Sequence, residues 1–251
     1  MILVDLNQVM ISNLMVQIGG QKDIELDEDL FRHMILNSVR SIRTKFGNKY
    51  GELVICCDDR NFWRRQRFPY YKANRKKYRE QSSIDWSSVL NINSDSKTLI
   101  LILSGDKDFI QLHKFKKVTQ YDPVQKRWLK HNDPHKYLIE HIAKGDRGDG
   151  VPNMLSKDDV FVTGERQKPM RTKYLDTLKG NVDEIENIFE NDDLKRGWLR
   201  NRMLIDLKFI PEDIQKKVLD QYNIPAKGRG KLFNYFVKHK LKHLMKDISE
   251  F

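Results

Sequence analysis

Residues 99–113, LILILSGDKDFIQLH, join a run of five apolar residues to a pair of carboxylates. An apolar run of this length predicts a strand that is buried on both faces, as in a parallel sheet. Asp106 and Asp108 follow the run and lie two residues apart. Because two neighbouring anions repel each other, the tip of this strand needs water, a cation or a phosphate-handling partner. The stretch therefore predicts a functional site at a strand end.

Two other segments repeat the pattern of a buried strand with carboxylates at its end. Residues 2–6 (ILVDL) predict a short strand with Asp5 near its C-terminal end. Residues 52–57 (ELVICC) predict a second buried strand, and Asp58 and Asp59 follow it directly. In open α/β sheets, ligands bind just beyond such strand ends. Asp5, Asp58 and Asp106 are therefore expected to converge.

The segment between these first two strands predicts an amphipathic helix over residues 28–46, with apolar residues at intervals of three and four. Asp27 or Asp29 can cap its start, and Gly47 can end it. Strand, helix and strand in this order predict a βαβ unit, and hence a mainly parallel sheet with helices on both faces.

The rest of the chain predicts one further pair of strands and then helices. Residues 117–121 and 124–129 predict a fourth strand and a hairpin return. From Pro134 onward the pattern is helical, with Pro and Gly between the pieces. The predicted helices are 135–145, 170–190, 193–207, 211–222 and 228–246. The fold class is thus α/β to about residue 130, followed by a helical C-terminal part.

A second pair of carboxylates lies in KGDRGDGVPN, residues 144–153, where Asp146 and Asp149 are three residues apart around a glycine-rich turn. Carboxylate oxygens are the ligands that Mg²⁺ and Mn²⁺ prefer. A single Asp after a strand is commonly only a turn former or a helix cap. Three strand-end Asp residues and two short Asp pairs in a basic chain favour a metal site instead.

The composition points to a polyanionic partner. The chain of 251 residues has 46 Lys and Arg against 35 Asp and Glu, a net charge of +11. Such a balance favours nucleic acid first and an anionic membrane surface second. No apolar run is long enough to span a membrane, and no secretory signal is recognisable. The two adjacent cysteines, Cys56 and Cys57, predict small buried hydrophobic residues and not a disulfide.

The segment FWRRQRFPYYKANRKKYR, residues 62–79, contains eight basic and six aromatic residues and no acid. Arg and Lys neutralise phosphates, and aromatic rings stack on unpaired bases, so the segment favours nucleic-acid binding. The alternative is a solvated basic helix face with its rings in the core. A second basic cluster, residues 227–246, fits nucleic-acid binding and an ordinary amphipathic helix equally well.

These motifs together resemble the 5′-nuclease, or flap endonuclease, family, and most closely its T-even-type bacteriophage ribonuclease H branch. The resemblance rests on ILVDLN, ICCDD, Tyr-Tyr-Lys-x-Asn-Arg, SGDKDFIQLH and KGDRGDGVPN in this order. It implies a PIN-like fold with a helix–three-turn–helix element and two Mg²⁺ sites, in which Mn²⁺ can substitute. The implied activity is 5′→3′ exonuclease and flap endonuclease cleavage of RNA–DNA and DNA duplexes. The implied role is removal of RNA primers during phage DNA replication in the cytoplasm of an infected bacterial host.

The resemblance also assigns roles to residues. Asp5, Asp58 and Asp106 match the first metal site, and Asp108, Asp146 and Asp149 match the group around the second. Lys72 and Arg75 match basic residues that contact the scissile phosphate, which places them with Asp5, Asp58 and Asp106 in the catalytic set. The expected nucleic-acid-binding residues are Arg64, Arg65, Arg67, Tyr71, Lys72, Arg75, Lys76, Lys77, Lys144, Arg147 and Gly148.

The implied organisation is a nuclease core over residues 1–131 with an arch-like basic segment over 60–85, followed by a duplex-binding part over 132–251. The implied partners are branched or nicked DNA and RNA–DNA duplex, with a single-strand-binding protein and a sliding clamp as protein partners. We expect a monomer and no membrane association.

One departure from the family is large. A helix carrying a Glu-Ala-Asp-Asp motif is expected between the second and third strands, but the segment near Ser88–Ser94 is too short to contain it. The alternative function is therefore a catalytically weakened, structure-specific DNA-binding protein of the same fold. The missing helix also predicts exposed apolar surface or a rearranged connection near residues 87–97. A smaller departure is Asn153-Met154-Leu155, where the family often has further glycines.

Overall fold

The computed structural model describes residues 1–19, 27–57, 63–73, 99–180, 185, 188–189, 191–225 and 229–251. Its sheet has the strand order β2-β1-β3-β4-β5, in which β5 alone is antiparallel to its neighbour. The strands are β1 (Ile2–Asp5), β2 (Leu53–Cys56), β3 (Ile100–Leu103), β4 (Val118–Asp122) and β5 (Arg127–Leu129). The predicted strands and the hairpin return are confirmed.

Helices flank the sheet and form the C-terminal part. Their bounds are α1 (Leu6–Ile18), α2 (Glu28–Tyr50), α3 (Trp63–Arg67), α4 (Pro134–Lys144), α5 (Val160–Thr163), α6 (Thr172–Gly180), α7 (Asp192–Ile205), α8 (Glu212–Tyr222), α9 (Leu232–Lys238) and α10 (Lys242–Met245). A 3₁₀ segment, Lys107–Lys114, follows β3. In the described part of the chain, no helix is both long and apolar enough to cross a bilayer.

Side chains of the central strands alternate between two apolar clusters, one on each face of the sheet. Ile2 and Val4 of β1 lie in the cluster that includes Ile42 and Phe46 of α2. Leu3 lies in the opposite cluster, with Ile102, Phe109 and residues of the C-terminal part such as Leu207 and Ile210. The predicted parallel sheet with helices on both faces is therefore confirmed.

Strand β2 is less buried than its apolar sequence predicts. It lies at the edge of the sheet, and Ile55 is 46% exposed. Cys56 is partly buried and Cys57 is exposed, both as free thiols, so the prediction of two buried cysteines is wrong. An edge strand has a neighbour on one side only, which leaves part of its surface open. The predicted rearrangement near residues 87–97 lies outside the described residues.

Several helix boundaries differ from the prediction. Helix α2 passes through Gly47 and ends at Gly51, whose φ of +81° favours glycine. Asp27 caps its start, as predicted, by accepting hydrogen bonds from two backbone N–H groups. Helix α1 was not predicted, because its apolar residues show no clear helical period. It begins directly after Asp5, which caps it.

The helices predicted over 170–190 and 228–246 are shorter in the structure. The first extends over Thr172–Gly180, and the described positions among 181–190 are not α-helical. The second is divided into α9 and α10, with Lys240 between them at a φ of +54°. A lysine in the left-handed region cannot continue an α-helix, so the chain turns there.

Helix α4, three turns over residues 147–159 and the short helix α5 form the predicted helix–three-turn–helix element. Asn153, which departs from the family pattern, fixes this segment. Its Oδ1 accepts hydrogen bonds from Leu155 N at 3.1 Å and Ser156 Oγ at 2.8 Å, and its Nδ2 donates to Lys168 O at 2.8 Å. Where the family often has a flexible glycine, the side-chain hydrogen bonds of Asn153 thus hold the backbone of this segment in place.

Helix α7 packs against these turns, at residues 152–156. The buried Arg200 donates to the carbonyl oxygens of Pro152 and Asn153, each at 3.0 Å, and to Ser156 O at 3.2 Å. A Cβ atom at Gly197 would lie 2.0 Å from Met154 O, so only glycine allows the helix to approach this closely. The turns are therefore held by a rigid helix.

The C-terminal residues pack against α2. The ring of Phe251 contacts Phe236 at a centroid distance of 5.2 Å, and the guanidinium group of Arg40 pairs with Asp247 and with Glu250. The frayed C-terminus that is the usual expectation is therefore not observed.

Candidate metal centre

The described carboxylates converge in one cleft of about 1230 Å³ beyond the C-terminal ends of β1 and β3. Asp5, Asp106, Asp108, Asp146 and Asp149 all line it. The parallel strands bring the first two together, because β1 and β3 are hydrogen-bonded neighbours. The turns after α4 bring the last two. The predicted convergence is thus observed for Asp5 and Asp106, while Asp58 lies outside the described residues. Asp108, Asp146 and Asp149, which the resemblance assigns to a second metal, lie in the same cleft.

Asp5 has its position fixed by the start of α1. Its Oδ1 accepts the Gln8 backbone N–H at 3.0 Å, and its Oδ2 accepts the Ser104 hydroxyl at 3.0 Å. Burial raises the pKa of the Asp5 carboxyl, and these hydrogen bonds oppose that rise. The same residue therefore caps a helix and presents a carboxylate to the cleft.

Asp106 caps the 3₁₀ segment by accepting the Asp108 backbone N–H at 2.9 Å. The loop that carries it is anchored by Gln120 of β4, whose Nε2 donates to Ser104 O at 2.8 Å and to Asp106 O at 2.7 Å. Desolvation raises the pKa of the Asp106 carboxyl, and repulsion from Asp149 and other neighbouring carboxylates adds to the rise. A bound cation would relieve both effects.

Asp108 has a buried carboxylate oxygen, Oδ1, that makes no hydrogen bond within the described structure. Burial raises the pKa of this carboxyl to about 8, and repulsion from Asp106 contributes. A buried acceptor without a donor is costly, so the atom needs a proton or a cation.

Asp146 and Asp149 occupy one turn. Asp146 Oδ1 accepts the Asp149 backbone N–H at 3.0 Å. Burial raises the pKa of Asp146, but the nearby His141 and the turn N–H groups outweigh it, so the net pKa is lowered. Asp149 Oδ2 accepts a hydrogen bond from the Tyr71 hydroxyl group and lies 3.7 Å from Lys72 Nζ.

His141 of α4 is a member of the site that the sequence analysis missed. Its Nδ1 lies 3.5 Å from Asp108 Oδ1, and its Nε2 lies 3.5 Å from Asp146 Oδ2. Burial lowers the pKa of His141, but the surrounding carboxylates outweigh it and raise the pKa overall. The available signal was its place five residues before Asp146, on the helix that leads into KGDRGDGVPN.

The residues of this cleft fit divalent cations. Five carboxylates line it, and the imidazole of His141 lies beside two of them, Asp108 and Asp146. One buried carboxylate oxygen, Asp108 Oδ1, has no donor among the described residues. Oxygen-rich groups of this kind suit hard divalent ions, and like charges held this close need a counter-charge.

The expected nucleic-acid-binding residues that the structure describes are partly exposed and partly buried. Lys144, Arg147 and Gly148 are exposed at the turn after α4, Arg67 is exposed, and Arg65 is half-buried. Arg64 and Tyr71 are buried instead. Arg64 Nε donates to Leu204 O at 2.7 Å, and the Tyr71 ring belongs to an apolar cluster. Both therefore support the site from within, while Arg75, Lys76 and Lys77 lie outside the described residues.

Lys72 is buried beside the carboxylates. Its backbone N–H donates to Asp149 O at 2.7 Å, and its φ is +55°, a conformation that non-glycine residues seldom adopt. Strained backbone of this kind is concentrated at functional sites. The structure thus places the lysine within the cleft that the five carboxylates line.

The metal-free protein is expected to lose stability as the pH rises toward and through about 8. Raised carboxyl pKa values mean that the ionised groups oppose folding, so stability is gained as the pH falls from about 8 toward the ordinary Asp value of 3.8. The raised pKa of His141 acts in the same direction, because its contribution is lost as the pH rises through that pKa.

The measurement is the thermal midpoint in EDTA between pH 6 and pH 9, for the wild type and for Asp108→Asn. The variant should lose less stability over this interval, and saturating Mg²⁺ should flatten the wild-type curve. The exposed Glu165→Gln serves as control. Identical pH profiles for the wild type and Asp108→Asn would contradict the assignment.

Comparisons with known proteins identify relatives of this chain. A family model described as the C-terminal part of T4 RNase H matches residues 134–251. Ribonuclease H of Enterobacteria phage T4 is 30% identical, with 99% of this chain and 95% of that protein aligned. The alignment spans 292 positions, which exceeds the 251 residues of this chain by 41. The relative therefore has residues without counterparts here.

Two solved structures share the fold. The T5 D15 protein co-crystallised with metal ions aligns over 88% of this chain and 97% of its own, with a TM-score of 0.54 and 12% identity. The T5 D15 flap endonuclease, as a variant in a pseudo-enzyme–product complex with DNA and metal ions, aligns over 88% and 96%, with a TM-score of 0.56 and 13% identity. These similarities confirm the predicted PIN-like fold.

Proposed function

Because this chain belongs to the bacteriophage T4 ribonuclease H family, we propose that it is a divalent-metal-dependent 5′-nuclease that cleaves flap DNA and RNA–DNA duplexes. The observation that carries the proposal is the convergence of five carboxylates beside the buried Lys72, in a chain of net charge +11. Acidic residues at the centre of a basic protein are typical of an enzyme that recruits cations to a polyanionic substrate.

Each described group has a proposed role. Asp5 and Asp106 would hold one ion, and Asp108, Asp146 and Asp149 would surround a second. When bound, a pair of such ions activates water and stabilises the leaving oxygen of a phosphodiester. Mg²⁺ is the proposed physiological ion, since the donor atoms are mostly carboxylate oxygens.

Lys72 is proposed to position the scissile phosphate. Its ammonium group lies 3.7 Å from Asp149 Oδ2 and 5.2 Å from the centre of the Tyr71 ring. Cations that share Asp149 would weaken this attraction, so the ammonium group could turn toward a substrate phosphate. The exposed side chain of Arg147, on the turn after α4, is proposed to contact the phosphates of the duplex backbone.

The biological proposal follows the family. Cleavage of RNA–DNA duplex suits removal of RNA primers during phage replication in the cytoplasm of an infected host. We also propose the division into a nuclease core over 1–131 and a duplex-binding part over 132–251, which the match of the family model to residues 134–251 supports. A monomer, and contacts with a single-strand-binding protein and a sliding clamp, stay predictions.

The second candidate is a catalytically weakened DNA-binding protein of the same fold. The 41 surplus alignment positions and the absence of a Glu-Ala-Asp-Asp motif support it, since fewer carboxylates would hold the first ion less firmly. Binding of branched DNA would then persist while cleavage is slow.

The test is incubation of the full chain with 5′-labelled flap, nicked and RNA–DNA substrates, with and without Mg²⁺. Mg²⁺-dependent release of short 5′ products would support the nuclease. Tight binding of the flap substrate without cleavage, in either Mg²⁺ or Mn²⁺, would favour the second candidate. Cleavage of free single-stranded RNA in preference to branched DNA would contradict both.

A further inference from the structure

His141 stands between two carboxylates in a way that packing does not explain. Only 13% of its side chain is exposed, and each ring nitrogen faces a different carboxylate at 3.5 Å. A closed ion pair between an imidazolium and a carboxylate has a nitrogen–oxygen distance of about 2.7–2.9 Å. The distances from the His141 nitrogens to Asp108 Oδ1 and Asp146 Oδ2 are both longer than this. Asp108 Oδ1, on one of these sides, has no hydrogen bond of its own.

The three side chains offer one ligand atom each within a small volume. The candidate donor atoms of Asp108, His141 and Asp146 lie within 4.8 Å of one another. An ion between them would satisfy Asp108 Oδ1 and take one imidazole nitrogen. The other ring nitrogen could then donate its N–H to the remaining carboxylate, an arrangement that orients many metal-bound histidines.

We propose that His141 supplies a nitrogen ligand to the second metal position and thereby gives it a preference for Mn²⁺ over Mg²⁺. Mg²⁺ favours oxygen ligands, whereas imidazole nitrogen suits transition ions better. The inference rests on the proposed function for the presence of a divalent ion, and it concerns which ion the site selects. A site of carboxylates alone, which also binds Mn²⁺, would show a smaller preference.

The experiment compares Mn²⁺ and Mg²⁺ binding to the metal-free full chain by calorimetry. His141→Asn replaces the imidazole with an amide that offers oxygen. The matched control is His135→Asn, an exposed histidine on the same helix α4. We expect His141→Asn to weaken Mn²⁺ binding by about tenfold or more, as changes around metal-bound histidines commonly do. Mg²⁺ binding should change much less, and His135→Asn should change neither.

Pulsed electron paramagnetic resonance of the bound Mn²⁺ provides a readout that does not depend on the variant. Nitrogen hyperfine coupling is expected in the wild-type protein and should vanish in His141→Asn. If that variant does not fold, the wild-type spectrum alone decides. Absence of nitrogen coupling in the wild type would overturn the proposal. So would an equal change in both affinities, or tighter binding of both ions, because His141 would then be only a counter-charge.

The outcomes separate this inference from the proposed function. Nitrogen-coupled Mn²⁺ binding in a protein that cleaves no substrate would support the ligand role and contradict the nuclease. Cleavage by a protein whose bound Mn²⁺ shows no nitrogen coupling would support the nuclease and contradict the ligand role of His141.

Discussion

Asp106→Asn is expected to abolish metal-dependent cleavage of a 5′-flap substrate while making the metal-free protein more stable. The amide keeps the acceptor oxygen that caps the 3₁₀ segment, so the local fold should persist. It removes a negative charge that repels Asp149, Asp146 and Asp5. Loss of several kcal/mol of metal-dependent stabilisation of the transition state corresponds to a decrease of about 10³-fold in rate.

The measurement combines single-turnover cleavage in Mg²⁺ with thermal unfolding in EDTA. Asp122→Asn is the matched control, because Asp122 also ends a strand but only accepts the N–H groups of Val124 and Gln125. That control should cleave within a few-fold of the wild type. Wild-type cleavage by Asp106→Asn would contradict the assignment of this carboxylate to the metal centre. A lower thermal midpoint would contradict the repulsion argument.

Arg200→Met is expected to cost about 3–5 kcal/mol of the free energy of unfolding, because several buried carbonyl oxygens lose a donor, each at about 1–3 kcal/mol, and a buried charge pair is broken. Methionine preserves the apolar stem but leaves Pro152 O, Asn153 O and Ser156 O without this donor. The carboxylate of Asp158, which Arg200 also contacts, loses one of its two arginines.

Arg196→Met is the matched control, since Arg196 pairs with the same carboxylate at 2.9 Å but is 54% exposed. An exposed pair of this kind contributes about 0–1 kcal/mol. Urea unfolding at neutral pH measures both variants. An equal cost for the two would show that burial of the guanidinium group does not matter here. The three carbonyl groups that lose this donor belong to the turns after α4, which are proposed to contact the duplex. We therefore also expect Arg200→Met to bind duplex DNA more weakly.

The central strands were predictable because strands buried on both faces have continuous apolar sequences. Apolar runs such as 99–103 have no polar alternation, and the Asp residues at their ends had to meet once the strands were parallel. The same reasoning was wrong about the burial of β2. An apolar run shows that a strand can be buried, but its place in the sheet decides whether it is.

The rest of the site depends on contacts between residues far apart in the chain. The ion pairs of Asp158 have no local sequence signal, because its partners Arg196 and Arg200 lie about 40 residues away on α7. The only sequence signal for His141 is its place five residues before Asp146, and its contact with Asp108 arises only when α4 packs beside the 3₁₀ segment. The burial of Tyr71 and Arg64 could not be predicted, because a basic, aromatic segment does not show which of its side chains turn inward.

The position of β1 has a consequence for how the protein forms. Its neighbours are β2 and β3, with Ile2 paired to Leu53 and to Leu101. Pairing over such long separations is slow, because the entropy of closing a long loop must be lost before the strands gain any contacts. Because β1 precedes β3 in the chain, we expect β1 to leave the ribosome first and its apolar side chains to stay uncovered until β3 is available to pair. The nascent chain is therefore exposed to aggregation until β3 arrives, and Asp5 and Asp106 become neighbours in that same late step.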